Sequence, residues 1–436
     1  MSFGPAAAPE EIVAPNGGRV IAVSSKRDLA TTWRIGIAVA AAGLTPVLAY
    51  FGNLGFAPAV ALAGLLCLPL LARARRPSRG MWLLLALLAW ALASEVWSVA
   101  VPRAPDLHRY KSLEQLTGLK LVFQLALYSA FVVGVRDVSP GGGRLAGRVL
   151  GLGLAALSGV MLVDALSQGG LYGLVRADLG FAIRSDLARR DVARACYVMT
   201  LLFWPAALAL WRSRFRALAY VLAALTLLTS AMLQVDAPLA AFFLSALVYA
   251  VVRGSGRAGI WLSMLATLAY FALTPIVVGL LGHIQLGKHA VQLGKLSWGL
   301  RLTAWGFVDK LIVFKPLFGW GLDASRMWPR DIPLHPHDAA MQLWFELGAV
   351  GAGLTALFYA WLHTRIAAVG TRDRDMAAAG CATMTAYLII GALSFGVWQE
   401  WWLALGALAA AACAIVAAGR SDDEAHAHDD GLIPLV

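Results

Sequence analysis

Apolar runs about as long as a bilayer is thick recur along this chain, separated by short polar turns, and only the interval 282–337 is both long and polar. We read twelve runs, at about 31–50, 54–72, 81–100, 117–135, 146–167, 193–211, 217–234, 237–252, 259–281, 338–362, 376–395 and 399–418. Lipid offers no partner for backbone N–H and C=O groups, so a run of about 20 apolar residues crosses as a helix that satisfies them internally. The period-two alternation that a transmembrane barrel requires does not occur. The pattern predicts an all-α polytopic membrane protein of about twelve transmembrane helices. It divides into a tail at 1–30, spans one to nine within 31–281, a long loop at 282–337, spans ten to twelve within 338–418, and a second tail at 419–436.

Composition agrees with this. Hydrophobic residues are 60% of the 436 and charged ones 14%, with a mean hydropathy of +0.71, too apolar for a soluble globule. Cys67, Cys196, Cys381 and Cys413 all fall inside apolar runs without zinc-like spacing and read as small core residues. The first thirty residues are Pro/Ala-rich and lack the basic-then-apolar order of a cleavable signal, so they read as a loose tail. The formal net charge is +11, but the basic residues are spread through inter-helix loops. That speaks for membrane orientation and an anionic ligand, with no nucleic acid as partner.

Charge orders the spans. Arg73, Arg75, Arg76 and Arg79; Arg136 and Arg144; Arg212, Arg214 and Arg216; Arg253 and Arg257; and Arg365, Arg372 and Arg374 all fall in alternate loops, on the side of the basic N-terminal tail. The positive-inside rule then puts both termini in the cytoplasm and the long loop outside. Three outer loops break the rule by holding cations: Arg103, Arg109 and Lys111; Arg176, Arg184, Arg189, Arg190 and Arg194; and seven between Lys288 and Arg330. Headgroup contact and solvated surface explain many of these; the functional reading is a cationic bowl for a phosphate-bearing substrate. Glu95, Asp164, Lys120 and Arg194 also fall at the outer ends of their spans, where a site open to the outer face would use them.

Within the long loop, Leu293, Leu296, Leu300, Ala304, Phe307 and Leu311 recur at three- and four-residue steps and predict an amphipathic interfacial helix. Pro316 stops it, and Phe318-Gly319-Trp320-Gly321 predicts a turn with glycines at positive φ. The stretch from Ser325 to Pro333 reads as irregular. A buried helix restarts after His337, with Asp338 as its cap and Gly348 and Gly351 allowing close packing. His337 thus falls at the outer mouth of the tenth span.

Arg301 with Trp305 a turn later, then Pro316-Leu317-Phe318-Gly319-Trp320-Gly321, then His335-x-His337-Asp338 followed by Leu343, Glu346, Gly348 and Gly351, resembles the signature of the O-antigen ligase and Wzy-type polymerase superfamily. The motif covers only about 301–351; the layout, a GT-C-like plan with a long periplasmic loop carrying interfacial helices between spans nine and ten, covers the chain. Two departures stand out. The usual His-Asn pair is His337-Asp338 here, and where many relatives carry an Arg near the outer end of the seventh or eighth span this chain has Asp236. That cation's role then falls to Arg184, Arg189, Arg190 or Arg194.

The resemblance implies a multi-pass protein of the bacterial inner membrane with a periplasmic active site. It implies transfer of O-antigen from undecaprenyl pyrophosphate to lipid A–core oligosaccharide, by inversion, with no cofactor and no metal. Arg301 and one or two arginines of 176–194 would receive the departing pyrophosphate, His337 would deprotonate the acceptor hydroxyl, and His335 and Asp338 would bind substrate. The alternatives are the polymerase of the same superfamily and, from another class, a transporter of lipid-linked glycan or small anions. A protein O-oligosaccharyltransferase is disfavoured by the short C-terminal tail. Asp373-x-Asp375, interleaved with Arg372 and Arg374, is a poor metal pair; His426, His428, Asp429 and Asp430 lie in a polar tail with chance metal affinity at most; and Gly141-Gly142-Gly143 reads as a flexible turn.

Overall fold

The computed structural model describes residues 29–71, 78–100, 116–283, 296–332 and 335–420, with the backbone of two three-residue strands, Glu11–Val13 and Arg19–Ile21, paired antiparallel (β1 and β2). The rest of the described secondary structure is helical. All twelve apolar runs are helices: α1 Leu29–Phe51, α2 Phe56–Leu71, α3 Arg79–Ser94, α4 Thr117–Arg136, α5 Pro140–Leu166, α8 Ala195–Trp211, α9 Arg216–Met232, α10 Asp236–Ser255, α11 Arg257–His283, α13 Ala339–Gly370, α14 Arg374–Leu393 and α15 Glu400–Ala418. Among the described residues ten helices are long and apolar enough to cross a membrane, while α3 and α9 are shorter apolar helices. The chain is a multi-pass membrane protein.

Three further helices lie between spans: α6 Gly170–Asp178, α7 Ser185–Val192 and α12 Leu296–Phe314. Alternating direction gathers their end of the bundle together with the starts of α4, α13 and α15; the other end holds the turns between α8 and α9, α10 and α11, and α13 and α14. One apolar core runs through α1, α2, α4, α5, α8 and α15, and a second joins α3 and α11 to α13. A third, around Trp305, Val308, Ile312, Ala324, Met341 and Phe345, fastens α12 and the loop after it to α11 and α13.

Two expectations change. The triplet Gly141-Gly142-Gly143 is not a flexible turn but the first turn of α5, because Ser139 accepts from Gly142 N and Pro140 pre-sets the backbone. In α12 the helix and its end before Pro316 hold, but the buried face is Ala304, Trp305, Val308 and Ile312, while Leu300 is 56% exposed. That is roughly a quarter turn from the predicted stripe at 3.6 residues per turn. Trp305, whose Nε1 donates to the Pro336 carbonyl at 2.6 Å, sets the rotation. Leu293, Lys288 and Lys295, the 101–115 cations and His426–Asp430 lie outside the described residues.

The tenth span is not continuous. Gly348 takes φ 65° and ψ −166°, a conformation closed to side-chain-bearing residues, and splits α13. The Pro316–Gly321 turn fills the break: Trp320 N donates to Phe345 O (2.9 Å), Gly321 N to Glu346 O (2.8 Å), Ala349 N to Pro316 O (2.8 Å) and Val350 N to Leu317 O (3.3 Å). Trp90 Nε1 takes the Leu347 carbonyl at 3.0 Å. Broken backbone at membrane depth is tolerated because protein satisfies it. Gly319, φ 69°, and Gly348 are pressed together so closely that a Cβ on either meets backbone within 2.4 Å.

Candidate functional site at the long-loop end

Glu346, fully buried in α13, ties the site together. Its carboxylate accepts from Asp323 N (3.1 Å), Ser325 Oγ (2.5 Å), Gln342 Nε2 (3.1 Å) and Trp398 Nε1 (2.6 Å). Gln342 in turn accepts from Val397 N at 2.9 Å. The loop before α13 and the 394–399 loop before α15 are therefore held against one helix, and the two histidines lie between them.

His337 has φ 58°, a left-handed conformation uncommon outside glycine. Its backbone N–H donates to His335 Nδ1 at 3.1 Å, and its ring Nδ1 lies 2.9 Å from the Ser394 carbonyl. A carbonyl only accepts, so the proton sits on Nδ1 and Nε2 keeps its lone pair. Burial first, and the Arg301 charge after it, hold this imidazole below its ordinary 6.5, against the pull of the Ser394 carbonyl. The ring is neutral and basic at pH 7.

His335 is arranged differently. It is buried, accepts at Nδ1 and so carries its proton on Nε2, which lies 3.0 Å from the Gln399 amide nitrogen. Two donors cannot face one another; the satisfied arrangement turns the Gln399 oxygen, otherwise a buried acceptor without a partner, toward the ring. Burial, then His337, Arg326 and Arg301, push His335 down to about 3. It positions His337 and stays neutral. Asp338 caps α13 as expected, accepting from Met341 N (3.0 Å) and from the Tyr270 hydroxyl (3.2 Å); burial pushes its carboxyl up to about 6.

Arg301 is half-buried in α12, its guanidinium 5.3 Å from the centre of the Trp298 ring, whose Nε1 donates to Asp236 at 2.9 Å. Burial lowers its pKa while Tyr197 and Asp236 act to raise it. Tyr197 joins two parts of the site, because its hydroxyl lies 3.4 Å from Ser394 Oγ. Arg194 stands one helical turn before Tyr197 and 3.4 Å from Asp191.

Among the described residues no side-chain contact draws any of the four arginines, Arg194 included, to the two histidines or to Arg301. Arg184 pairs with Asp186 at 3.0 Å on the exposed surface, Arg190 lies 3.7 Å from Asp191, and the Arg189 backbone packs on Gly169. The bowl is less cationic than the sequence implies, since Lys120 pairs with Glu400 at 2.6 Å and Arg326 with Asp323 at 3.3 Å. Asp164 is committed to Tyr50 and to the Tyr172 N–H. Asp373 and Asp375 hold arginines at the other end.

Sequence reasoning did not single out Tyr197, Ser394 or Gln399 as parts of the site, since they sit in or beside apolar runs with no motif around them; Arg326 it had only as one of the seven cations of the long loop.

No family model matches the chain. It is similar to curated proteins of Rickettsia named "Putative polysaccharide ligase": that of Rickettsia typhi at 23% identity over 49% of this chain and 55% of the relative, that of Rickettsia bellii at 33% over 24% and 28%, and that of Rickettsia conorii at 30% over 24% and 29%. The matches span from under a third to about half the length of these relatives. Their names are consistent with an O-antigen-ligase-like family.

Proposed function

We propose that the chain is an inner-membrane glycosyltransferase of the O-antigen ligase type, moving polysaccharide from undecaprenyl pyrophosphate to lipid A–core on the periplasmic side, with both termini in the cytoplasm. The observation that carries the reading is the hydrogen bond from His337 Nδ1 to Ser394 O, which fixes the tautomer with Nε2 free, at the bundle end that also holds Arg301. His337 Nε2 takes the acceptor hydroxyl proton as that oxygen attacks the sugar carbon from the face opposite the leaving group. The carbon–oxygen bond to the pyrophosphate breaks, and its electron pair leaves with the undecaprenyl diphosphate. Arg301, with Arg194 one turn from Tyr197, stabilises that charge where it develops. One displacement inverts the configuration.

Two features support chemistry over transport. The 316–321 turn takes up the Phe345 and Glu346 carbonyls and the Ala349 and Val350 N–H groups at the break, groups of the kind that broken helices in transporters offer to a solute. The polysaccharide-ligase names of the relatives agree. Deleting the gene tests the reading: lipid A–core loses all O-antigen while long chains accumulate on the carrier. Retention of single O-antigen units on the core assigns the chain to polymerisation instead, and an unchanged lipopolysaccharide overturns the reading.

A further inference from the structure

The bundle end opposite His337 holds a cavity of about 120 Å³ where the α10–α11 turn meets the α13–α14 turn. The separation follows from α13, which starts beside Asp338 and reaches the cavity at Gly370; its continuous part after the break at Gly348 is alone about 33 Å long. Val252, Ile260, Ala367 and Ala377 form the inner wall, and Arg257 and Arg374 stand at the mouth. The volume exceeds several times what one water needs.

The charge around it is unbalanced. Asp373 accepts from Arg212 Nη2 through both oxygens, each at 2.7 Å, and from Met376 N at 3.0 Å, with Arg420 3.8 Å away, and Asp375 pairs with Arg253. No carboxylate pairs with Arg257 or Arg374 among the described residues. Arg374 is fixed in place: Nη2 donates to the Gly254 carbonyl at 2.6 Å, and its guanidinium lies over Gly256, 3.2 Å or a little more from where a Cβ would stand. Most of its donors, and all of those of Arg257, stay available. Below Arg257 on the same helix face, one and two turns on, Trp261 is 38% and Leu265 62% exposed, so apolar surface continues from the charged mouth toward lipid.

We propose that this cavity binds the phosphodiester headgroup of an anionic phospholipid, with Arg257 and Arg374 clamping the phosphate and an acyl chain running along Trp261 and Leu265. Arginine suits the role because its planar fork of donors matches phosphate oxygens. The site is separate from His337 and Arg301 and does not depend on the transferase reading.

The test is native mass spectrometry of the purified full-length protein titrated with phosphatidylglycerol, phosphatidylcholine or inorganic phosphate. Wild type is expected to take phosphatidylglycerol well above phosphatidylcholine, and Arg257→Gln to weaken it about fivefold, as about 1 kcal/mol per arginine implies. Arg257→Gln and Arg374→Gln together bring it to the phosphatidylcholine level, and Arg365→Gln, an exposed arginine at the same end, leaves it unchanged. Arg257 makes no hydrogen bond or ion pair among the described residues, so its variant reports binding without a folding defect. Equal binding by wild type and Arg257→Gln, or an equal loss with Arg365→Gln, overturns the site. Inorganic phosphate binding as tightly as phosphatidylglycerol overturns the lipid assignment.

Discussion

At the scale of single residues, His337 and Asp338 are adjacent and do opposite things. His337 has one ring nitrogen committed and one free, whereas both acceptor contacts of Asp338 are internal to the fold. Because His337 acts unprotonated, kcat/KM is expected to fall only as pH drops through a value below 6.5, and Arg301→Gln, by removing a nearby cation, moves that acidic limb upward. A limb that stays in place when Arg301 is neutralised argues against their proximity. For Asp338 the folded pKa, about 6, lies above the ordinary 3.8, so ionisation costs stability that is fully felt above pH 6 and absent below about 4. Asp338→Asn keeps a good cap without the charge and is expected to gain on the order of 2–3 kcal/mol at pH 7.5 and little at pH 4. Thermal unfolding at the two pH values checks it. The sequence identified both residues, and the cap, from type and position. It did not reveal the left-handed turn at His337 or the Ser394 carbonyl, since a backbone acceptor 57 residues away has no sequence signature.

At the scale of elements, the motif around 316–321 and the glycine at 348 are one structural unit, a turn docked into a broken helix. Gly348→Ala forces a side chain into left-handed backbone and places its Cβ 2.3 Å from the Leu317 carbonyl, which four backbone hydrogen bonds prevent from retreating. A loss of more than about 2 kcal/mol is expected, read as a lowered melting temperature with early proteolysis in the 316–332 segment. Gly353→Ala, in the same helix with open space where its Cβ would stand, serves as the milder comparison. Periodicity located α12 and glycine chemistry located the turn at 319–321. The break was not legible, because Gly348 sits in an apolar run whose periodicity continues across it. The rotation of α12 was missed because one tryptophan hydrogen bond outweighs its weak apolar stripe.

At the scale of the whole molecule, the arrangement of twelve helices was legible because apolar run length and loop charge are strong, redundant signals. Which surface faces which compartment is a separate matter and is directly testable. Cys67, Cys196 and Cys381 are buried and Cys413, half-buried, lies within the apolar helix α15, leaving a quiet background for a membrane-impermeant maleimide. Arg326→Cys is expected to label in intact spheroplasts and Thr371→Cys only after lysis; the reverse pattern contradicts the proposed orientation.

The central claim is that one imidazole deprotonates the acceptor while a separate set of cations holds the donor. The most direct measurement is single-turnover transfer by purified His337→Ala with lipid-linked donor already bound and acceptor then added. The account predicts donor affinity within about twofold of wild type, with transfer slower by about 10²–10⁴-fold. Transfer at the wild-type rate, or loss of donor binding with transfer of whatever donor remains bound unaffected, would contradict it.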